Sequence, residues 1–593
     1  MSIHHGKHEY FRPVLAIHII AYSIFGIIFL LTIFQRYKGN NASFYTDLFQ
    51  FTIKKYPYNN DIYIHDSLYQ NSSILYPIVR ILNINLDNDV VGITLMVCGS
   101  LIALYYLSKI ILEYTSIKSN YSVLIILSLL ITNEYNLLAM VQANPIYRSI
   151  LPSTFAHYLI FPIIYYTLKN KVVIASILLA MMIGFNIKIA WVLSICIFIY
   201  FITQNISNLK QLLWFSIPGF VTISLYILGS IPEDFQLRIK LCELIILRNG
   251  NEDSINLQSI NYIVLFIGSF PAYYYFSKKL SNNLLRSFSL IVLTVTAIFS
   301  VFGTFYTTIG YEYFPLPSLM LLSYVRSINI YNIFWKLIIF IYIISKEDYS
   351  FLFRSTLLLI IYFAFYSIKS IILVPLIIIG YLCISFIMNK YKSRFSFQFA
   401  INESVRFVVL IAIIMVLPTY SFIKKINGDW PNYAAFQLFN KWTVTTSSDY
   451  DYLSALKTLS EREDFILLPV KKISKPRKAI ASIDGKYYDK HNGTIIYNGL
   501  VPDYKSNMLA GKSKFIGDFA HFYLNNNTYN EHRRRSEAIR VLFSEMENGN
   551  IISDKTLNIF RKNNVSLLVP NEFSHLFINN SKIEHINQNY SLI

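Results

Sequence analysis

Three of the five aspartates in the polar segment that follows the first apolar stretch of the chain could take part in chemistry. Asp47, Asp61 and Asp66 lie within residues 35–90, among many tyrosines. Aromatic side chains favour the membrane interface. A carboxylate there could act as a base in a group-transfer reaction, taking a proton from an acceptor molecule that arrives from water while a donor molecule with a lipid tail stays in the bilayer. Asp47, in YTDLFQ, is therefore the candidate catalytic base, and Asp61 and Asp66 are candidate acceptor or sugar contacts. The ordinary alternative for Asp47 is to cap a helix that begins at Leu48.

Two cations stand at the edges of apolar runs. Arg148 lies in YRSILPS and Lys188 in FNIKIAW. A cation at the centre of a membrane span costs about 2.5–3.5 kcal/mol on insertion scales, so it usually faces a polar cavity or pairs with an anion. Phosphate is such an anion, because Arg offers it a bidentate fork and Lys a point charge. We predict that both cations bind donor phosphate; alternatively, Arg148 snorkels to the interface and Lys188 marks a loop tip.

Other polar residues carry weaker signals. Glu312, in GYEYFPLP, is a candidate acceptor or sugar contact, because carboxylates and aromatic faces typically hold sugar hydroxyls; a turn residue is the alternative. The run from His532 to Arg535 fits a phosphate or headgroup site, although charge runs more often form solvated faces. His18 and His157 are expected to be polar residues within helix interfaces.

No cofactor or metal site is predicted. The cysteines show no CxxC spacing, so neither a zinc site nor a disulfide framework is indicated. A divalent ion held by Asp47 with Asp61 or Asp66 stays open, since carboxylates are hard oxygen ligands. The four cysteines are Cys98, Cys196, Cys242 and Cys383.

Membrane spans must position these residues. Of the 593 residues, 54% are hydrophobic and only 15% are charged, against about 25% charged residues in ordinary soluble domains. This composition argues against a soluble enzyme. Apolar runs of a length suited to about 30 Å of hydrocarbon alternate with charged or Asn-rich breaks. They predict about thirteen spans, at residues 13–34, 91–112, 122–140, 150–167, 172–186, 189–203, 212–230, 259–276, 287–303, 330–345, 351–367, 370–388 and 405–423.

The distribution of Lys and Arg predicts the orientation of these spans. With the N-terminus in the cytoplasm, inside loops such as 113–121, 168–171 and 277–286 hold Lys and Arg at about twice the density of the outside loops, as the positive-inside rule requires. An odd number of spans then places the C-terminal segment outside the cytoplasmic (inner) membrane. The formal net charge of +18 is spread over loops, so the lipid bilayer is a predicted partner and nucleic acid is not.

The chain is expected to divide into a membrane module, residues 1–423, and an extracytoplasmic soluble domain, residues 424–593. The second part has strand-like runs at 465–470 and 565–570. It also has a charged helix candidate at 531–548 and a second helix at 554–564, capped by Ser553. The fold class predicted is an α-helical polytopic membrane protein with a C-terminal α/β domain.

The whole arrangement resembles the GT-C superfamily of polytopic glycosyltransferases, which use polyprenyl-phosphate sugar donors. Asp47 in a long first outside loop, about a dozen spans and a terminal extracytoplasmic α/β domain carry the resemblance, which covers nearly the whole chain. Residues 147–191 are similar to a bacterial pattern in which an Arg and a Pro open one span and a polar residue interrupts a later one. Members often have two adjacent acids in the first loop, and a His where this chain has Asn186.

The resemblance implies inverting transfer of a sugar from a polyprenyl-phosphate donor to a glycan or glycolipid acceptor outside the cytoplasm. It implies Asp47 as the base, and Arg148 with Lys188 as the cations that offset charge on the departing phosphate.

Three other classes of protein stay open. A flippase or polysaccharide exporter would carry charged residues facing one another inside several spans, and Asp or Glu is nearly absent from the spans apart from Glu134. A glycan polymerase would use large outside loops in mid-chain, and a non-catalytic scaffold would need no site. An ATP-driven pump is disfavoured, because no GxxxxGK[ST] motif occurs.

Overall fold

A computed structural model of the chain describes residues 19–33, 73–84, 89–132, 152–204, 260–316, 327–345, 447–472, 526–577 and 582–593, apart from a few positions inside these ranges, and several short pieces between them. The described part is mostly helical, with a small sheet near the C-terminus.

Apolar helices follow one another up to residue 345. Their sequences are rich in Leu, Ile, Val and Phe with few charges, a composition that suits helices enclosed by other helices or by lipid. These helices are α1 (Ile19–Ile33), α2 (Leu75–Ile81), α3 (Asp89–Tyr114), α4 (Asn120–Thr132), α5 (Pro152–Tyr158), α6 (Ile160–Leu168), α7 (Val172–Phe185), α8 (Ile187–Gln204), α9 (Ile260–Lys278), α10 (Asn283–Phe305) and α11 (Ser327–Ser345).

Two described helices are long and apolar enough to cross a membrane. They are Val90–Tyr114 and Asn283–Gly303, with 25 and 21 residues and mean hydropathies of 2.1 and 2.0. Shorter apolar helices at α1, α4, α7, α8 and α11 overlap predicted spans. The count of thirteen stays a prediction, because residues 212–230 and most of 351–367, 370–388 and 405–423 lie outside the described residues.

Helices α3 and α5 cross closely at Gly99. The buried ring of Tyr158 lies where a side chain on Gly99 would stand. Ala103, one turn further along α3, is also fully buried. Two small residues four positions apart allow two helix backbones to approach closely, as is common in membrane helix packing.

One end of the helix bundle is marked by an ion pair. Lys169 Nζ, in the turn before α7, lies 2.7 Å from the Glu113 carboxylate at the end of α3. Hydrogen bonding to Glu113 raises the pKa of the Lys169 ammonium. The two residues belong to segments 168–171 and 113–121, both predicted inside. The two segments meet at this end, and the side of the membrane that it faces stays a prediction.

Helix α8 ends, and α10 begins, at this same end. Tyr200 lies close enough to Tyr114 for their hydroxyls to interact electrostatically. The rings of Tyr200 and Phe288 are 5.5 Å apart, whereas Trp191 at the start of α8 packs on Phe299 near the end of α10, at 4.5 Å. Helices α8 and α10 are therefore antiparallel, and Asn186 lies at the opposite end of the bundle from Lys169.

The C-terminal segment contains both helices and strands. The elements are α12 (Ser447–Ser460), β1 (Ile466–Lys472), β2 (Ser482–Ile483), β3 (Lys486–Tyr487), β4 (Leu500–Pro502), β5 (Ser513–Lys514), α13 (Asn526–Glu547), α14 (Asp554–Lys562), β6 (Val565–Pro570), β7 (Glu584–His585) and β8 (Tyr590–Leu592). Six of the strands form one sheet of order β4-β1-β6-β8-β7, with β5 also beside β1. Strand β1 pairs in parallel with β6 and antiparallel with β4. A second sheet pairs β2 with β3.

Local patterns predicted four of these elements, namely β1, β6, α13 and α14. The runs at 465–470 and 565–570 are strands β1 and β6, as predicted. Ser553 caps α14, because its hydroxyl accepts a hydrogen bond from the Thr556 amide at 3.3 Å. The predicted helix at 531–548 begins earlier, at Asn526.

Arg535 fits neither of the two roles considered for the basic run from His532 to Arg535, a phosphate or headgroup site or a solvated face. It is buried, its guanidinium donates to the Phe515 carbonyl at 2.9 Å and to the Glu531 carboxylate at 2.7 Å, and it lies over the Phe515 ring. This arginine fixes helix α13 to the segment after β5 rather than meeting solvent or phosphate.

Candidate functional site

Two of the predicted site residues fall within the described part of the chain. Lys188 lies in the first turn of α8. Glu312 is exposed, in a single helical turn, Tyr311–Tyr313. The other predicted site residues lie outside the described residues: Asp47, Asp61, Asp66 and Arg148.

Lys188 follows a sharp interruption between two helices. Helix α7 ends at Phe185 and α8 starts at Ile187, with Asn186 in extended backbone conformation, φ −156° and ψ 105°. A helix end leaves carbonyl groups without intrahelical partners, and a helix start leaves N–H groups without them. Residues 184–186, which we call the Asn186 break, therefore bring both kinds of backbone group to one place.

The first polar segment meets this break. The Ile74 N–H donates to the Gly184 carbonyl at 2.8 Å, which satisfies one of the carbonyls at the end of α7. A Cβ on Gly184 would lie 2.9 Å from Ile74 Cγ2, so glycine permits this approach. Ile74 stands eight residues after Asp66, in the same segment, 35–90, that carries the three candidate aspartates.

Helix α5 meets the break from another side. The Phe155 ring stacks on the Phe185 ring, with centroids 5.5 Å apart and planes inclined by 29°. Helix α5 begins at Pro152, four residues after Arg148. Ile74, which follows Asp66, and Phe155, which follows Arg148, thus contact Gly184 and Phe185, just before Lys188.

The start of α8 has the electrostatic character of an anion site. The Ala190 N–H bonds to the Asn186 carbonyl at 3.3 Å, as the first intrahelical bond, which leaves the N–H groups before it outside the helix ladder. The macrodipole makes the start of an 18-residue helix positive, which favours an anion there by about 0.3–1 kcal/mol. The N–H groups at the start of α8 can therefore bind an anion, and Lys188 is in the same turn.

Glu312 is held in a distinct turn. Helix α10 continues into a π-helical turn, Tyr306–Gly310, a feature often found at functional sites. The Tyr306 hydroxyl donates to the Phe314 carbonyl at 2.8 Å and accepts from the Leu316 N–H at 3.0 Å, which fixes the turn around Glu312. Among the described contacts, none joins Glu312 to the Asn186 break.

Sequence reasoning overlooked two polar residues in the core of the bundle. Asn332 and Lys336 lie in the middle of α11 and are fully buried. The signal was present, since a lysine stands in the centre of the predicted span 330–345 and such residues are seldom there without a role.

Neither a metal-binding arrangement among the described residues nor a similar known protein gives further support to this site. Within the described ranges, no group of three or more His, Cys, Asp or Glu side chains is arranged to hold a metal ion. No family model, curated protein or solved structure matches the chain.

Proposed function

We propose that the protein is an inverting, GT-C-like glycosyltransferase of about thirteen spans. It moves a sugar from a polyprenyl-phosphate-type donor to a glycan or glycolipid acceptor on the outer side of the cytoplasmic membrane. The proposal rests on the candidate residues, on the resemblance and on one observation from the described helices.

That observation is the convergence at the Asn186 break. Ile74, from the segment with the aspartates, bonds to Gly184, and Phe155, seven residues after Arg148, stacks on Phe185. Acid, guanidinium and ammonium are far apart in sequence, yet Ile74 and Phe155, which follow Asp66 and Arg148, contact the residues just before Lys188. This supports a common site for a base and two phosphate-binding cations.

The proposed chemistry is a direct displacement. The acceptor hydroxyl oxygen attacks the anomeric carbon while Asp47 takes its proton, and the bond from that carbon to the phosphate oxygen breaks with its electron pair. Arg148 offsets the charge that develops on the phosphate through its two-pronged N–H donors, and Lys188 and the start of α8 add to the positive potential. Asp61, Asp66 and Glu312 contact acceptor or sugar hydroxyls.

A flippase or exporter of lipid-linked glycans is the second candidate. It is favoured by the burial of Lys336 in α11, because transporters bind charged substrates near the bilayer midplane. This candidate needs no base at position 47.

Purified protein in lipid vesicles separates the two candidates. Polyprenyl-phosphate sugars are supplied with glycolipid acceptors, and products are identified by mass spectrometry. Transfer by the wild type and its loss in Asp47→Asn support the glycosyltransferase. Movement of a lipid-linked glycan between leaflets, with no transfer from any donor, supports the exporter.

A further inference from the structure

The turn between helices α9 and α10 is strongly basic. Lys278, Lys279 and Arg286 are the only charged residues between positions 254 and 311. Both lysines are exposed, and Arg286 is partly exposed. None of the ion pairs within the described part of the chain includes any of the three. Residues 278–286, which we call the basic turn, therefore keep their positive charge without a described carboxylate.

A tyrosine ring lies beside each lysine of the basic turn. Lys278 Nζ is 4.5 Å from the centroid of the Tyr274 ring, and Lys279 Nζ is 5.7 Å from that of the Tyr275 ring. Each tyrosine stands four residues before its lysine, so the two side chains of a pair lie on the same side of the helix. A cation–π contact orders an ammonium but does not neutralise it. The rings therefore position both charges and leave them available to an anion.

Hydroxyl contacts hold the two helices together beside the turn. The Ser277 and Ser289 hydroxyls are 2.7 Å apart, and the Tyr273 hydroxyl donates to the Ser289 carbonyl at 3.3 Å. Ser277 directly precedes Lys278, and Ser289 stands about one helical turn after Arg286. The lysines and the arginine therefore lie at the same end of the pair of helices.

The start of α10 adds to the positive potential of the turn. Asn282 caps this helix, because its Oδ1 accepts hydrogen bonds from the Leu284 and Leu285 amides at 2.9 and 3.1 Å. The macrodipole of a 23-residue helix makes its start positive and favours an anion there. Arg286 lies in this first turn. An anion at the basic turn thus meets the guanidinium and the helix dipole together.

The place of the turn in the fold indicates a lipid as the source of the anion. Helix α10 is apolar over 21 residues, Asn283–Gly303. This length is about 32 Å by helical rise, which matches the roughly 30 Å of hydrocarbon in a bilayer. The start of the helix is then at the level of the lipid phosphates. Tyr274 and Tyr275 are exposed beside it, and tyrosine favours this level.

Two further pairs of lysine and tyrosine lie at the Lys169 end of the bundle, where α10 begins. Lys109 lies over the Tyr105 ring at 5.7 Å, and Lys169 over the Tyr165 ring at 5.4 Å. Lys169 differs from the lysines of the basic turn, because the Glu113 carboxylate lies 2.7 Å from its ammonium. The basic turn is therefore the better anion site of the two.

We propose that the basic turn binds the headgroup phosphate of an anionic phospholipid in the leaflet at the Lys169 end of the bundle. Lys278, Lys279 and Arg286 contact the phosphate oxygens. A zwitterionic lipid is bound more weakly, because its own ammonium offsets the charge of its phosphate. The inference concerns the opposite end of the bundle from the Asn186 break, so it holds whether or not the protein transfers sugars.

Native mass spectrometry of the full-length protein tests the site. Protein in a neutral detergent is titrated with phosphatidylglycerol or with phosphatidylcholine, and bound lipid is counted. The variants are Lys278→Met combined with Lys279→Met, and Arg286→Gln alone. The matched control combines Lys555→Met with Lys562→Met, which removes two exposed charges from α14. We expect the double variant of the turn to bind phosphatidylglycerol about tenfold more weakly or worse, Arg286→Gln to bind it several-fold more weakly, and the control to bind it as the wild type does.

A wild-type preference for phosphatidylglycerol that is lost in the double variant supports the proposal. Equal binding of the two lipids by the wild type overturns it, as does equal binding of phosphatidylglycerol by the wild type and the double variant. Displacement of phosphatidylglycerol by an equal concentration of inorganic phosphate assigns the site to a free ion and also overturns it. If the double variant does not fold, undiminished binding in Arg286→Gln overturns the proposal instead.

Discussion

The ring of Tyr158 occupies the space in which a side chain on Gly99 would stand. Gly99→Ala adds one methyl group at this contact and should therefore force helices α3 and α5 apart. We expect the free energy of unfolding to fall by about 1–3 kcal/mol, as is typical of overpacking. Thermal unfolding of the purified protein in detergent measures the loss. In a Tyr158→Ala background, which lacks the ring that the new methyl group meets, Gly99→Ala should lower the midpoint less than it does in the wild type.

Gly26→Ala is the control for this pair. An added Cβ at Gly26, in helix α1, meets nothing within 4 Å. Since alanine also favours a helix over glycine, we expect an unchanged or higher midpoint. A midpoint for Gly99→Ala equal to that of Gly26→Ala would show that the helices have room at Gly99.

The predicted orientation can be tested with cysteine labelling. A cysteine placed by Asn498→Cys should react with an impermeant thiol reagent in intact cells whose outer barriers are permeabilised, because the segment 424–593 is expected outside. Lys171→Cys, in the turn beside the Glu113–Lys169 ion pair, should react only after lysis. Reaction of Asn498→Cys only after lysis would show that the number of spans is even.

The ion pair between Arg462 and Glu584 predicts a dependence of stability on pH. The two bonds from Arg462 lower the pKa of Glu584 below its ordinary value. A lowered carboxyl pKa stabilises the folded state above the unfolded value, near 4.3, and this contribution disappears as pH falls through the folded value. Both side chains are partly exposed, so the effect is at most about 1 kcal/mol.

Arg462→Gln should therefore lower the unfolding midpoint at pH 7 and leave it unchanged at the acid end. Midpoints from pH 3 to 7 measure the difference from wild type. Lys555→Gln, an exposed position on α14, should shift the midpoint equally little at every pH. A constant difference between wild type and Arg462→Gln over the whole range would contradict the assignment.

The elements that the sequence predicted correctly depend on interactions between residues that are close together in the chain. The strand at 565–570 and the helix capped by Ser553 follow from apolar runs and a capping hydroxyl, which act within a few residues. The interruption before Lys188 was also visible, as a polar residue within an apolar stretch. Each of these features depends on neighbours in the sequence.

Contacts between distant segments were not predictable in this way. Nothing in the sequence around Gly184 indicates that Ile74 bonds to it, or that Phe155 stacks on Phe185. Such pairings depend on how helices pack, and an apolar span has many equivalent packing surfaces. The burial of Arg535 depends likewise on Phe515, twenty residues earlier in the chain.

Arg148 provides a test of phosphate binding. Arg148→Lys should keep part of the donor affinity, because the charge remains, whereas Arg148→Gln should lose most of it with both charge and fork. Stability should change little in either variant. Donor affinity is measured on purified protein with a polyprenyl-phosphate sugar. Equal affinity in wild type and Arg148→Gln would return Arg148 to a snorkelling role at the interface.

The last prediction concerns Asp47. Base catalysis typically contributes a factor of about 10²–10⁴, and Asp47→Asn removes it while keeping the size of the side chain. The variant should lose most transfer yet retain normal expression, membrane insertion and donor binding. Asp61→Asn and Asp66→Asn are the matched controls in the same segment. They should be milder if one base suffices, and as severe as Asp47→Asn if the three acids share a divalent ion, in which case added Mg²⁺ or Mn²⁺ should raise wild-type activity. Full transfer by Asp47→Asn in the vesicle assay would exclude Asp47 as the base.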